Sequence, residues 1–239
     1  MEMEIKRVVK DLKGNFAPGP LGISNALVKE LVPFMTNIML DFGNNLLFED
    51  GPTYLPWFFH RFVISILKPG KPTTCNDSYR GLSMLEVFFK IFSTIISDRM
   101  KRTMIHIQSP QQFGCTHGKR IQEATRTVLD VAQYAKRNNL PLILLSTDFY
   151  KAFDSIRIDH TEKCLEICGF PEEFIKAYMR LARNGTIQFE VNSELSEDVR
   201  LLKGTAQGDP KPAFGFNASS APLNHFLSTS HKFPRFQHE

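Results

Sequence analysis

The chain has 239 residues, enough for one large domain or two subdomains with a buried core. Its 42% hydrophobic and 23% charged residues are typical of globular proteins and exclude a disordered chain. The net charge is only +4, but the segment from Arg61 to Arg137 holds 13 Lys and Arg against 5 Asp and Glu, an excess of +8 that leaves the remainder near −4. This segment favours a polyanionic partner, nucleic acid above all, although a solvated basic face would have the same composition.

The four cysteines predict neither a disulfide framework nor a metal site, because no C-x-x-C pair occurs. Cys164 and Cys168, spaced i, i+4, are interpreted as small buried residues on one helix face. The charged start M-E-M-E-I-K-R is not a signal peptide, and no apolar run approaches membrane-spanning length. We therefore expect an intracellular, soluble chain with no membrane partner, in either the nucleus or the cytoplasm.

The N-terminal third is predicted to be helical, with one rigid turn. Residues 1–13 form a charged helix that ends at Gly14, and A-P-G-P-L-G-I-S over residues 17–24 turns the chain into a long helix capped by Ser24 or Asn25. Pro33 is expected to break or kink that helix.

A hairpin follows. The β-rich run R-F-V-I-S-I-L over residues 61–67 and the run beginning at Tyr79 are separated by a basic turn and a polar loop. This arrangement places Lys68, Lys71 and Arg80 near the mouth of the hairpin, where they are able to hold phosphates. Taken alone, the pattern favours a solvated hairpin over a phosphate site.

Two amphipathic helices are predicted next. Residues 86–102 place Ile91, Phe92 and Ile95 inward, and residues 120–136 place Val128, Val131 and Ala135 along an inner face.

The apolar run Leu142–Leu145 is short and bounded by Asn138, Asn139 and Pro141, which favours a strand buried on both faces. This strand is predicted to end at Asp148. A carboxylate at the tip of a buried strand is costly unless a metal, a cation or backbone N–H groups satisfy it. Asp148 is therefore either the cap of the following turn or a metal ligand.

Helical patterns resume over residues 161–183, with an interruption at residues 169–171. Two strands, over residues 186–192 and 198–203, form a second hairpin, and G-T-A-Q-G-D-P-K-P over residues 204–212 leads into a final helix that extends to about Leu227. The phosphate-loop pattern G-x-x-x-x-G-K-[ST] and the patterns G-x-G-x-x-G, H-E-x-x-H and G-x-S-x-G are absent from the sequence.

Taken in their order along the chain, these segments resemble the reverse transcriptase domain of non-LTR (LINE-type) retrotransposons over roughly residues 17–227. The segment A-P-G-P-L-G-I-S resembles the opening motif of the family, K-A-P-G-P-D-G-I. The segment I-L-K-P-G-K, together with Tyr79-Arg80 and L-S-M-L, resembles the family motif that ends in Y-R-P-I-S-L. The segment F-K-I-F resembles the family's Y-K-I-F helix. Residues 111–114 resemble the turn that follows that helix. D-F-Y-K-A-F-D-S is close to D-F-x-K-A-F-D-S, and A-Q-G-D-P resembles R-Q-G-D-P.

The resemblance implies an α+β fold with the right-hand polymerase architecture. We expect fingers over residues 1–105 and an incomplete palm with an antiparallel sheet, together with returning fingers elements, over residues 106–239, and no thumb. It also implies RNA-directed DNA polymerase activity, with an RNA template, a DNA primer and deoxynucleoside triphosphates as partners. Protein partners are not predicted.

The resemblance further implies roles for individual residues. Asp148 and the backbone carbonyl of Phe149 would hold the two Mg²⁺ ions of the nucleotidyl transfer. Lys68 and Arg80 would hold the triphosphate, and Phe153 would lie under the incoming sugar, although core packing is the alternative for Phe153.

The remaining roles concern the template and primer. Gln207 and Gly208 would shape the pocket around the nucleotide and template, while Lys71, Lys90 and Arg120 would contact nucleic-acid phosphates independently of sequence.

The sequence also departs from the family pattern. Gly81 replaces the usual Pro, Lys211-Pro212 replaces Leu-Ser, and no Asp-Asp pair is present. Because the family's Asp-Asp hairpin supplies the other metal ligands, we expect this chain to stop before a complete catalytic core and to be inactive alone. The alternatives are a catalytically dead remnant that binds nucleic acid, or a group II intron maturase-like reverse transcriptase.

Overall fold

A computed structural model of the protein describes residues 1–14, 16–48, 55–116, 118–192, 194–204, 208–209 and 212–230. The helices are α1 Glu2–Asp11, α2 Asn25–Phe48, α3 Pro56–Phe59, α4 Val87–Ile107, α5 Ile121–Arg137, α6 Ala152–Ser155, α7 Ile158–Ile167, α8 Glu172–Arg183 and α9 Pro212–Thr229. The strands are β1 His60–Leu67, β2 Tyr79–Leu85, β3 Thr186–Val191, β4 Glu194–Leu195 and β5 Val199–Arg200. Within these ranges no helix is long and apolar enough to cross a membrane.

The strands form one mixed sheet in the order β2-β1-β3, with β4 and β5 both pairing with β3. The β1–β2 hairpin is antiparallel, with Arg61 opposite Leu85 and Leu67 opposite Tyr79, which confirms the hairpin predicted from the sequence. β3 pairs with β1 in parallel and with β4 and β5 in antiparallel fashion. The predicted α+β class is confirmed, and the sheet is antiparallel apart from the β1–β3 pair.

The core is built around α4. Phe89, Ile91, Phe92 and Ile95 are fully buried, as the helical spacing of the apolar residues predicts. Aromatic rings from α2 and α3 pack against this helix: the ring centroids of Phe42 and Phe92 are 5.4 Å apart, and those of Phe58 and Phe89 are 5.5 Å apart. α4 therefore joins the N-terminal helices to the sheet.

α1 is fastened to α4 by both apolar and charged contacts. Ile5, Val8 and Val9 are buried. The guanidinium of Arg99 donates to Glu4 at 2.7 and 2.9 Å, and Arg7 pairs with Asp98 at 2.6 Å. Hydrogen bonding from Arg99 lowers the pKa of Glu4 to about 2, with a further contribution from the Met1 amino group.

The strand predicted to end at Asp148 does not form. Residues 141–149 form no strand, and Ile143 and Leu145 are 94% and 81% exposed. The apolar run therefore does not form the predicted buried strand. A strand needs neighbouring strands to satisfy its backbone N–H and C=O groups, and no strand in the described ranges pairs with residues 141–149.

The predicted inner face of α5 is also largely uncovered. Ala135 is buried, but Val128 is 44% exposed. Helical periodicity indicates which residues share a face, but it does not show that another element covers that face. In α2 the helix continues through Pro33, so the predicted break does not occur. The predicted cap at Ser24 is confirmed by a hydrogen bond from Leu27 N to Ser24 Oγ at 3.2 Å.

We predict that Glu4→Gln lowers the free energy of unfolding at pH 7 by about 1 kcal/mol, a value already reduced for solvent screening. Because the folded pKa of Glu4 lies below the ordinary value of 4.5, its stabilisation is present above pH 4.5 and is lost as the pH falls towards 2. Urea titrations at pH 7 and pH 2 test this.

Glu2→Gln is the matched control, because Glu2 is more exposed and forms an ion pair with Lys6 on its own helix. We expect a smaller loss for it than for Glu4→Gln. An equal loss for Glu4→Gln at both pH values would contradict the assigned role of its carboxylate.

Candidate functional site

The segment D-F-Y-K-A-F-D-S lies on α9 through its aromatic side chains. The ring centroids of Phe149 and Phe153 are 5.8 and 5.4 Å from that of Phe216. Lys151 has a left-handed backbone conformation, with φ of 46°, and caps the single turn of α6. The segment thus packs on α9 and does not form a strand of the sheet.

Asp148 is exposed on the irregular part of this segment. The other carboxylate of the motif, Asp154, is exposed on α6, where its backbone N–H donates to Lys151 O at 2.9 Å. Among the described residues, no group of three His, Cys, Asp or Glu side chains is placed to hold a metal ion. The donor set in the described part of the chain therefore does not fit a site for two magnesium ions, which prefer several oxygen ligands in fixed geometry.

The mouth of the β1–β2 hairpin is linked to the same segment through Asp77. Lys68 Nζ donates to Asp77 O at 2.7 Å, and Lys151 Nζ lies 2.9 Å from Asp77 Oδ1. The Lys151 hydrogen bond lowers the pKa of Asp77. Lys71 and Arg80 are exposed on the hairpin, with Arg80 opposite Ile66. The structure therefore brings Lys68 close to the predicted catalytic motif, although the two are far apart in sequence.

The turn that begins at Gly204 reaches the other side of the motif. Gly204 N donates to Ile156 O at 2.7 Å, and a Cβ at Gly204 would lie 2.8 Å from Asp154 Cα. Farther along the turn, a Cβ on Gly208 would lie 2.9 Å from Ser83 O on β2. Gly204 thus lies against α6, and Gly208 lies against the sheet. Gln207, the predicted pocket residue, lies outside the described residues.

Asp209 is half-buried and belongs to a polar cluster, defined by Arg61, Ser93, Tyr178 and Asp209, whose other three members are buried. Arg61 is only 2% exposed and its guanidinium lies 5.2 Å from the centroid of the Phe89 ring. Burial lowers the pKa of Arg61, and the Asp209 carboxylate opposes that shift. Ser93 Oγ donates to Asp209. Burial, and then the charge of Asp209, raise the pKa of the Tyr178 hydroxyl.

The opening loop is held by a second buried carboxylate. Leu21 N donates to Glu86 Oε1 at 2.6 Å, and Glu86 is fully buried. Burial raises the pKa of Glu86. Burial also lowers the pKa of Lys90, while Glu86 opposes that shift. Lys90, which was predicted to contact nucleic acid, is therefore partly buried beside Glu86, whereas Arg120 is exposed before α5.

Comparison with known proteins connects these segments. Residues 66–231 match the family model described as reverse transcriptase (RNA-dependent DNA polymerase). The chain belongs to the reverse transcriptase family. It is similar to the probable RNA-directed DNA polymerase from transposon X-element of Drosophila melanogaster, with 29% identity over 86% of this chain and 22% of that protein.

Two other relatives agree with this assignment. The transposon TX1 uncharacterized 149 kDa protein of Xenopus laevis is 24% identical over 87% of this chain and 16% of that protein. The retrovirus-related Pol polyprotein from type-1 retrotransposable element R1 of Bradysia coprophila is 26% identical over 64% of this chain and 15% of that protein. The reverse transcriptase chain thus spans about a fifth or less of these relatives, and its resemblance to retrotransposon proteins is confirmed.

Sequence reasoning missed the cluster around Arg61 in this reverse transcriptase chain. One signal was available: strand alternation puts Arg61 on the same side of β1 as Val63, and both are buried. A charged residue on the buried side of a strand requires a compensating partner. Identifying that partner as Asp209 required the fold.

We predict that Gly204→Ala lowers the free energy of unfolding by about 2–4 kcal/mol and displaces the turn. The φ of Gly204 is +76°, and the added Cβ would also contact the backbone of Asp154 and Phe153 within 3.0 Å. Urea titration measures the loss.

Gly70→Ala is the matched control. Gly70 has nearly the same φ, +73°, but a Cβ there meets no atom within 4 Å, so only the backbone strain of about 1 kcal/mol is expected. Equal losses for the two variants would show that the close approach of Gly204 to α6 does not constrain the turn.

Proposed function

We propose that this chain is the template-holding and nucleotide-holding part of an RNA-directed DNA polymerase, with Asp148 as a catalytic carboxylate. The observation that carries the proposal is the convergence of three matched motifs. The hairpin mouth reaches the D-F-Y-K-A-F-D-S segment through the Asp77–Lys151 ion pair, and the turn reaches it through the Gly204–Ile156 hydrogen bond. The printed description of the X-element relative supports the same activity.

In this proposal residues 1–105 are the fingers, and residues 106–239 are a partial palm with returning fingers elements. The sheet topology supports the second description, because β3 comes from the later part of the chain and pairs directly with β1. RNA template and DNA primer are the proposed partners.

The nucleotide is proposed to bind between the hairpin mouth and α6. Lys68, Lys71 and Arg80 contribute positive charge there, and cationic side chains near a triphosphate stabilise its charge. The ring of Phe153 contacts that of Phe216, but the side chain is 47% exposed. Its exposed surface is therefore available to the sugar of a nucleotide. Gly208 lies against β2, which brings the turn to the same edge of the site. Gln207, beside Gly208 in sequence, is proposed to line the same pocket.

Asp148 and the Phe149 carbonyl are the proposed metal-binding groups. In a two-metal polymerase the ions stabilise the attacking and leaving oxygens, and carboxylates from more than one strand hold them. Because the described residues provide no such group, we assign no catalytic step to a metal in this chain.

A second candidate function is nucleic-acid binding without catalysis. The exposure of Asp148 and the lack of a carboxylate cluster in the described ranges favour it. A group II intron maturase-like enzyme is the third alternative, and the transposon relatives favour a retrotransposon origin over it.

Primer extension by the purified 239-residue chain tests the proposal. With an RNA template, a DNA primer, Mg²⁺ and deoxynucleotides, we expect the chain to bind the duplex and to add no nucleotide. Misplacement of reacting groups by about 1 Å can cost ~100-fold in rate, and the described residues contain no cluster of ligands that would fix them. Asp148→Ala is expected to bind the duplex as the wild type does.

Asp154→Ala serves as the control within the same motif. Extension by the wild type that disappears in Asp148→Ala and persists in Asp154→Ala would show that the chain completes its own catalytic site. A folded wild-type chain that does not bind the duplex at low salt would contradict the proposed function itself.

A further inference from the structure

A basic concavity of about 360 Å³ lies beside the catalytic motif, between the start of α7, the end of α8 and the strand β5. Its lining includes four basic side chains and one carboxylate: Arg157, Arg183, Arg200, Lys203 and Asp159. It falls outside the basic segment of residues 61–137, in the part of the sequence whose net charge is negative. A concentration of positive charge there is not a consequence of composition.

The carboxylates near the concavity neutralise only part of this charge. Asp159 lies 3.2 Å from Arg157 and 3.6 Å from Arg183, and Arg183 also pairs with Glu162. Arg200 and Lys203 form no ion pair with any residue in the described ranges. Two cations therefore face the concavity without a compensating charge from the described chain.

Backbone pairing brings the residues that carry these cations together. Arg157 and Lys203 are opposite each other in an antiparallel bridge, and Arg200 is opposite Thr186 in the β3–β5 pair. Leu201 N donates to Gly185 O at 3.1 Å. Holding like charges close together is unfavourable, so the arrangement gains stability when an anion binds between them.

The concavity also adjoins the proposed nucleotide site. Lys203 precedes Gly204, which lies against the backbone of Phe153 and Asp154. Arg157 comes two residues after Ser155, the last residue of the D-F-Y-K-A-F-D-S segment. An anion in the concavity would therefore lie next to whatever the catalytic motif holds.

We propose that this concavity binds phosphate groups of the nucleic-acid backbone as the strand leaves the catalytic motif, with Arg200 and Lys203 as the contacting residues. The inference rests on the proposed function. A polymer is favoured over a free phosphate ion because the cations are exposed and spread around an open surface, where each contact is weak and several phosphates are needed for useful affinity.

The test compares the double variant Arg200→Gln/Lys203→Gln with the wild-type chain in binding an RNA–DNA duplex at several salt concentrations. Each phosphate contact contributes about 0.9 to the slope of log K against log salt. We expect the slope to fall in magnitude by about 2 and the affinity at low salt to fall about tenfold or more. Both side chains are exposed, so the fold should be retained, which circular dichroism verifies.

Lys10→Gln/Lys13→Gln is the matched control, because it removes the same charge from exposed positions at the N-terminus. We expect its slope to equal that of the wild type. Equal effects of both double variants would overturn the site, since only net charge would then matter. An unchanged slope in Arg200→Gln/Lys203→Gln would overturn it as well, while leaving the proposed function intact.

Inorganic phosphate distinguishes the two sources of the anion. At constant ionic strength, replacing chloride by millimolar phosphate should leave duplex binding unchanged. Displacement of the duplex in the wild type but not in Arg200→Gln/Lys203→Gln would show a site for free phosphate and overturn the choice of a polymer. A folded wild-type chain that binds no duplex would remove both this inference and the proposed function.

Discussion

The buried guanidinium of Arg61 is the constraint on which the candidate site depends. A cation that is only 2% exposed is strongly disfavoured unless an opposite charge compensates it. Asp209 supplies that charge, Ser93 donates a hydrogen bond to its carboxylate, and the same negative charge raises the pKa of Tyr178. Arg61 lies on β1, Ser93 on α4, Tyr178 on α8 and Asp209 in the turn before α9, so one polar cluster joins four distant parts of the chain.

This cluster explains why the two halves of the site differ in how firmly they are held. Asp209 accepts a hydrogen bond from the buried Ser93, and Gly208 lies against β2. The D-F-Y-K-A-F-D-S segment is held by ring contacts with Phe216 and by an exposed ion pair to Asp77. Exposed ion pairs contribute little stability. The segment that holds Gly208 and Asp209 therefore contacts the core, whereas the D-F-Y-K-A-F-D-S segment is held at the surface.

Local patterns predicted most of the elements and the family, but not the packing. The helical spacing in α4 and the alternation in the β1–β2 hairpin were sufficient, because each element is buried against neighbours that the pattern assumes. The run Leu142–Leu145 has an equally clear pattern but remains exposed, because strand formation depends on neighbours that a local pattern does not reveal. The charge interaction between Arg61 and Asp209 links residues far apart in the chain, and no local rule predicts it.

A double-mutant cycle between Arg61 and Asp209 tests this account most directly. We expect Arg61→Met and Asp209→Asn each to lower the free energy of unfolding by about 3–5 kcal/mol, because each removes one of the two opposite charges of the cluster. The double variant should lose at least about 1 kcal/mol less than the two single losses combined. Losses that add to within about 0.5 kcal/mol would show that the two side chains act independently and would contradict the account.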